Sequence, residues 1–386
     1  MNIVHFSAGR INPTAAKVGS TNMIYWLARE QELAGHDVSV VVVPEKIKYE
    51  NVQGESFAIR EYAMLRRKGF AVDPKLFEDI DQGRLKIDVA HLHSLWSPAM
   101  VTIAAGLRKR GIPYVISSHG SFAPMLLRKP LILKHIFRFL FGLRLANGAS
   151  FVHLHSQDEI GDARSFGVKT KLVVAEQGID KSSLPAELPR DWFKRHYPLD
   201  EGKFKIVFLG RLDPWHKGID LLLHGLKIAL HQAPDLRLYL IGPEKQRYKH
   251  VIPELVAQLG ISERVVLAGP LYEPAEKFAA LASADCFALT SRFEGFPLTV
   301  LEAMACGTPL IVTPGTNATE IVRSSGAGIA CSADPDAIAH ALLEMRSNAA
   351  ERSAMRQRGQ QAAAQYTWAR SAAILLEAYA SVRRDQ

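Results

Sequence analysis

From Val89 to Gln157 the chain has no aspartate and no glutamate, although the whole sequence carries 39 acidic residues against 47 lysines and arginines. The same stretch holds Arg108, Lys109, Arg110, Arg128, Lys129, Lys134, Arg138 and Arg144. One face of the first half is therefore basic, suited to anionic lipid or to a phosphate-bearing acceptor. Nucleic acid is not an expected partner, since no helix-turn-helix, zinc or RNP-like pattern accompanies the charge. Cysteine is scarce. Cys286, Cys306 and Cys331 are odd in number and lack metal-ligand spacing, which argues against a disulfide framework and for a reducing compartment. No uninterrupted apolar run reaches the length of a membrane span. Met1-Asn-Ile-Val-His-Phe-Ser enters a strand pattern without a basic region or cleavage site, so no secretory signal is expected. The expected location is cytoplasmic, at the inner face of the membrane if the basic segment 125–144 meets lipid.

What is present is the composition of a folded protein, 48% hydrophobic and 22% charged. A length of 386 residues exceeds one ordinary core and fits two domains. Both halves alternate apolar, β-branched runs with amphipathic stretches, the signature of parallel sheets covered by helices. In the first half the runs are 3–6, 38–43, 89–93, 114–117, 151–154 and 172–174. In the second they are 205–209, 237–241, 265–267, 286–289, 310–312 and 328–330. A polar, proline-bearing stretch from Glu176 to Pro189 is the best linker candidate. The expected division is 1–178 and 179–366, with an alanine-rich helix over about 367–386 returning to the first domain. The simplest architecture is α/β, two Rossmann-like domains facing each other across a cleft.

One segment, Ser291-Arg-Phe-Glu294-Gly-Phe-Pro-Leu-Thr-Val-Leu-Glu302, carries the most chemistry. A buried strand ending near Leu289 puts Glu294 in the loop at its carboxyl end, where open α/β sheets bind ligands. A helix starting near Pro297-Leu298 puts Glu302 about a turn and a half inside it. Free amides from Phe296 to Thr299 would then face a ligand at a positive helix terminus. A carboxylate on either side of such donors fits a ligand with both phosphates and hydroxyls. The alternative is a plain helix cap at Glu294 and a solvated Glu302. Upstream, Gly210-Arg211-Leu-Asp-Pro-Trp-His-Lys217-Gly218 joins a strand to a helix, where glycine admits close approach and the two cations suit a diphosphate. In the first half, Ser118-His119-Gly120 places a histidine at a strand's carboxyl end.

Together, Gly210-Arg211, Lys217-Gly218, the E-x7-E frame of Glu294 and Glu302, Ala305-Cys-Gly-Thr-Pro and Pro314-Gly315 resemble the retaining GT-B glycosyltransferases of family 4. The resemblance covers the chain, but its specific motifs sit mainly in the second half. It implies that the second domain holds a nucleotide-diphosphate sugar and the first mostly the acceptor. By the match, Arg211 and Lys217 bind the diphosphate, Glu302 holds the ribose hydroxyls and Glu294 faces the transferred sugar. Gly210 allows close approach. The segment Gly295, Phe296, Pro297, Leu298 and Thr299 contacts sugar or phosphate, with Pro297 lacking an amide hydrogen. Pro270 and Leu271 lie near the nucleobase. His119 matches the family's His-Gly motif beside the donor sugar. Gly19 stands in the first loop, where Val18-Gly19 replaces the family's glycine pair and weakens the case for a phosphate cradle.

The resemblance implies metal-independent, retaining transfer of a hexose, from UDP-glucose or a similar UDP-hexose with GDP-mannose open, to a glycan or lipid-linked acceptor in polysaccharide assembly. No cofactor or metal is expected. Two rivals remain: a GT-B sugar-nucleotide epimerase and a non-catalytic nucleotide-sugar-binding subunit. Asp79-Ile-Asp81 has the D-x-D form of a manganese site, but it reads as a solvated acidic helix face without a strand leading into it. His91, His93, His153 and His155 alternate along two strands with no carboxylate or cysteine among them, a weak case for metal. The segment 125–144 mixes apolar and basic residues at helical spacing. It is either a peripheral membrane contact or an amphipathic helix burying its apolar side.

Overall fold

The computed structural model describes residues 1–8, 20–43, 57–62, 69–128, 132–180, 184–185 and 187–384. The chain divides into two compact units, one of Met1–Gln177 with Trp368–Gln386 and the other of Gly178–Thr367. Among the described residues no helix is long and apolar enough to cross a membrane.

The first unit is built on β1 (Asn2–Ser7), β2 (Asp37–Val42), β3 (Ala58–Glu61), β4 (Val89–His93), β5 (Tyr114–Ser117), β6 (Val152–Leu154) and β7 (Leu172–Val174). They form one parallel sheet in the order β3-β2-β1-β4-β5-β6-β7. The second unit uses β8 (Phe204–Leu209), β9 (Leu236–Ile241), β10 (Val265–Gly269), β11 (Cys286–Leu289), β12 (Leu310–Val312) and β13 (Gly328–Ala330). Its parallel order is β10-β9-β8-β11-β12-β13. Each sheet reverses its winding once, between β1 and β4 and between β8 and β11. At such a switch point the flanking loops diverge and leave a crevice at the strands' carboxyl ends.

Helix Trp368–Arg384 belongs to the first unit and packs on helix Ser20–Leu33. Its buried residues Trp368, Ala372, Leu375 and Tyr379 recur at helical spacing. Tyr379 reaches the sheet, with its hydroxyl 2.6 Å from His91 Nδ1.

Two readings of acidic and apolar stretches need correction. Asp79 is not on a solvated face; it is buried, accepting from the Tyr62 hydroxyl at 2.7 Å and from Arg84 Nε at 2.6 Å. Asp81 does lie on an exposed face, where it pairs with Arg110. In the basic segment Phe137 and Phe141 pack against Trp96 and Phe70, but Ile132, Leu133, Ile136, Phe139 and Leu140 are exposed rather than buried. They lie along helix Ile132–Phe137 and the π-type turn Arg138–Gly142 that continues it. Residues 129–131 of that segment fall outside the described set.

The core of the first unit contains a layer of histidines. His5 on β1 lies opposite His91 on β4, and Ser117 on β5 lies opposite both His93 and His153. His119 and His155 extend the layer, with rings 4.9 Å apart. Burial lowers every one of their pKa values, to about 4 for His5 and His153 and about 3 for His119. His91, His93 and His155 move in the same direction for the same cause. The layer is therefore uncharged at neutral pH. Glu159, which accepts from Ser118 Oγ at 2.5 Å, is pushed up to about 8 by burial and is neutral as well.

The pH dependence of stability follows from these shifts. A buried histidine binds a proton less readily than the unfolded chain, whose value is 6.5, so unfolding takes up protons below that pH. Each such group removes up to about 1.4 kcal/mol per pH unit between its two values. Glu159 runs the other way: its contribution is full below the unfolded value of 4.5 and gone above about 8, offsetting one histidine. Urea midpoints measured at pH 7, 6 and 5 should fall steadily; a flat or rising series would show that the layer is charged or open to water.

Candidate functional site

At the carboxyl end of β8 the chain runs through Gly210 and Arg211 to Gly218, then enters helix Ile219–Ala229. Gly218 has φ 62°, and a Cβ there would lie 1.9 Å from the Thr290 carbonyl oxygen. Only glycine lets this loop lie against the end of β11. Thr290 Oγ1 seals the approach, donating to the Gly218 carbonyl at 2.8 Å. Lys217 is thereby carried to Glu294, with Nζ 2.5 Å from Oε1. Ser291 Oγ donates to the same oxygen at 2.5 Å. The pair is largely shielded, at 16% and 12% side-chain exposure.

His216 ties the two loops together a second time. Its Nε2 donates to the Phe293 carbonyl at 2.9 Å, and its ring stacks on Phe293 at 4.0 Å. Burial lowers its pKa, so the ring is neutral and Nδ1 keeps a lone pair. That lone pair accepts from Arg211 Nη2 at 3.1 Å. Arg211 is exposed and, among the described residues, has no carboxylate partner. Nearby, Arg292 spends its charge on Asp220, with two bonds of 2.7 and 2.8 Å.

Glu294 is followed by Gly295, Phe296 and Pro297 before helix Leu298–Ala305. Asn317, at φ 55°, fixes this loop by donating to the carbonyls of Glu294 at 2.8 Å and Gly295 at 3.2 Å. No side chain caps the helix. Among the described residues, the amides of Gly295, Phe296, Leu298 and Thr299 donate to no protein acceptor. An uncompensated guanidinium and unpaired amides thus converge on the switch point of the second sheet.

Glu302 lies on the same helix but is held by Lys277, Nζ to Oε1 at 2.6 Å. Pro270 and Leu271 follow β10 at the sheet's edge, separated from β8 by β9. His119 belongs to the other unit, after β5, in a left-handed conformation with φ 46° that is uncommon outside glycine. Gly19 lies outside the described residues. The sequence did not single out His216, Asn317, Ser291 or Lys277. His216 could have been noticed beside Lys217 and Asn317 after Pro314-Gly315. Lys277 sits 25 residues before Glu302 on another helix and gave no local signal.

Two family profiles match the chain. One, described as Glycosyltransferase Family 4, covers residues 18–183, and the other, Glycosyl transferases group 1, covers residues 190–362. A D-inositol 3-phosphate glycosyltransferase of Corynebacterium urealyticum is 28% identical over 62% of this chain and 58% of its own. Mannosylfructose-phosphate synthase of Agrobacterium fabrum is 38% identical over 29% of this chain and 26% of its own. The chain spans about half the length, or less, of the curated relatives it matches. Among solved structures, sucrose-phosphate synthase of Thermosynechococcus elongatus superposes with a TM-score of 0.78 at 18% identity, covering 100% of both chains. Anabaena HepE in complex with UDP gives 0.76 at 19% identity, over 99% of this chain and 100% of its own. With one profile matched over each half and the fold shared with these structures, the chain belongs to the group 1, family 4 glycosyltransferases of GT-B architecture.

Proposed function

We propose that the protein is a metal-independent, retaining hexosyltransferase that uses a UDP-linked hexose and acts on a glycan or lipid-linked glycan. The observation that carries this reading is Arg211, a cation oriented by a neutral imidazole and left without a carboxylate, beside the unpaired amides of the Glu294–Thr299 loop. Fixed positive potential of this kind suits a diphosphate leaving group. Lys217 starts out paired with Glu294 and can exchange that partner for a phosphate oxygen. UDP is chosen because HepE, of the same fold, is a UDP complex. A GDP-mannose-dependent mannosyltransferase of Mycolicibacterium smegmatis, 29% identical over 55% of this chain, supports a guanosine donor as the second reading.

In this reading the bond from the anomeric carbon to the diphosphate oxygen breaks, and the electron pair leaves with the diphosphate. The acceptor hydroxyl attacks the same face of the oxocarbenium-like centre. Its proton passes to the departing diphosphate oxygen. Glu294 takes no covalent part; it positions Lys217 and the sugar. Glu302 meets the ribose hydroxyls once its contact with Lys277 yields.

Two measurements test this. A thermal-shift panel of nucleotides and nucleotide sugars should raise the melting temperature most with UDP species; a preference for GDP species moves the donor to the second reading. Arg211→Ala should then lower turnover about 10²–10³-fold with the unfolding midpoint unchanged, and EDTA should leave wild-type turnover intact. Undiminished activity in the variant would remove Arg211 from the site.

We also propose that the segment 125–144 meets the membrane surface. Its support is the exposed apolar row from Ile132 to Leu140, set among Lys134, Arg138 and Arg144 in a stretch free of acidic residues. Flotation with vesicles containing anionic lipid should recover the protein at low salt and lose it as salt rises. Ile136→Glu with Phe139→Glu should abolish recovery; retention of the double variant would refute the contact.

A further inference from the structure

Two hydrogen-bonded rows cross the histidine layer of the first unit, and one of them ends on His119. In the first row the Tyr379 hydroxyl is 2.6 Å from His91 Nδ1, and His91 Nε2 is 2.7 Å from Ser117 Oγ. Ser117 Oγ is 2.7 Å from His153 Nδ1, and His153 Nε2 is 2.9 Å from the Ala175 carbonyl oxygen. A carbonyl only accepts, and a neutral imidazole has one N–H and one lone pair. His153 therefore carries its proton on Nε2. Ser117 donates to His153, His91 donates to Ser117, and the Tyr379 hydroxyl donates to His91. Every proton in this row is placed by one backbone carbonyl.

The second row has Gln31 Oε1 2.7 Å from His5 Nε2, His5 Nδ1 2.9 Å from His93 Nε2, and His93 Nδ1 3.1 Å from His119 Nε2. It has two possible directions, and the side-chain amide of Gln31 decides between them. Burial raises the pKa of Tyr379, and the Gln31 side chain works against that rise, the effect of an N–H turned toward the phenol oxygen. With its hydrogen committed to His91, the Tyr379 oxygen can only accept, so the amide nitrogen belongs on its side. Gln31 Nε2 is buried and has no hydrogen-bond partner of its own, whereas Oε1 lies 2.7 Å from His5 Nε2. Oε1 then faces His5 and accepts.

We infer that Gln31, acting through His5 and His93, fixes His119 as its Nε2–H tautomer and presents His119 Nδ1 as an acceptor for a hydroxyl-bearing ligand at the carboxyl end of β5. The ligand clause rests on the proposed function; the tautomer does not. Among the described residues His119 Nδ1 has no hydrogen-bond partner, so its lone pair is available. The left-handed backbone at His119 sets the ring in place, and the row sets its protons. Gln31, His5 and His93 are positioning residues. A metal ion is the competing use of this layer, since His5, His91 and His93 offer nitrogens within 4.8 Å of one another. It would need lone pairs that the two rows already spend.

Long-range proton–nitrogen spectra of the ¹⁵N-histidine-labelled, full-length protein read the tautomers directly, with His119→Asn supplying the assignment. The expected result is a protonated Nε2 and a bare Nδ1 at His119, His93 and His5, and no metal retained after dialysis against EDTA. In Gln31→Leu the terminal acceptor is gone, and His119 should split between both tautomers while His153 keeps its own. A protonated Nδ1 at His119 in the wild type, one unchanged tautomer in Gln31→Leu, or a stoichiometric metal ion would each overturn the inference. If Gln31→Leu does not fold, the wild-type spectrum decides alone. Because no nucleotide sugar is present in this experiment, a failed donor assay with the expected tautomers would sink the functional reading and leave the relay standing.

Discussion

Between Gly218 and Thr290 two backbones come so close that no side chain fits, and the geometry of the second unit's site follows from that contact. A sheet that reverses its winding between β8 and β11 offers a crevice but does not bring its two loops together. The close approach does. It carries Lys217 onto Glu294 and His216 onto the Phe293 carbonyl, so the basic loop and the acidic loop act as one rigid piece. The charges are then sorted by geometry. Arg292 is neutralised by Asp220 and Lys217 by Glu294, which leaves Arg211. A free guanidinium costs little where it is exposed, and it gains direction from a neutral imidazole that adds no charge of its own.

Much of this was open to reading. Leu310–Val312 and Cys286–Leu289 are short apolar runs, the first rich in β-branched residues, bounded by proline or polar residues, and they are strands over those residues. The helix after Pro297 starts at Leu298 because proline, lacking an amide hydrogen, is tolerated at a helix start, where the first-turn amides have no intrahelical acceptor. Ala58–Glu61 escaped, since it sits at a sheet edge, pairs only with β2 and carries two charged residues in four. An edge strand needs no apolar run because one side of it meets no neighbour.

Contacts between distant residues were not legible. The alternating His91 and His93 gave no sign that His5, 88 residues from His93, and Tyr379, 288 residues from His91, lie beside them. Periodicity reports which face a side chain occupies, not what that face meets. Asp79 failed for the same reason: an acidic helix reads as solvated, yet the Tyr62 hydroxyl and Arg84 make burial affordable.

A layer of six imidazoles, five of them buried, is a costly way to fill a core that valine and leucine could fill. Each buried ring needs a donor and an acceptor, and His155, outside both rows, has neither. What imidazole supplies in exchange is direction. An apolar core fixes shape but carries no proton, whereas a row of neutral rings ending on a carbonyl has a single self-consistent arrangement of hydrogens. The same logic operates at His216, whose bond to the Phe293 carbonyl turns its lone pair to Arg211. In each unit a backbone or amide oxygen at one end of an imidazole dictates which atom the other end presents. That arrangement survives only while the rings stay uncharged, and burial, which lowers each of their pKa values, keeps them so.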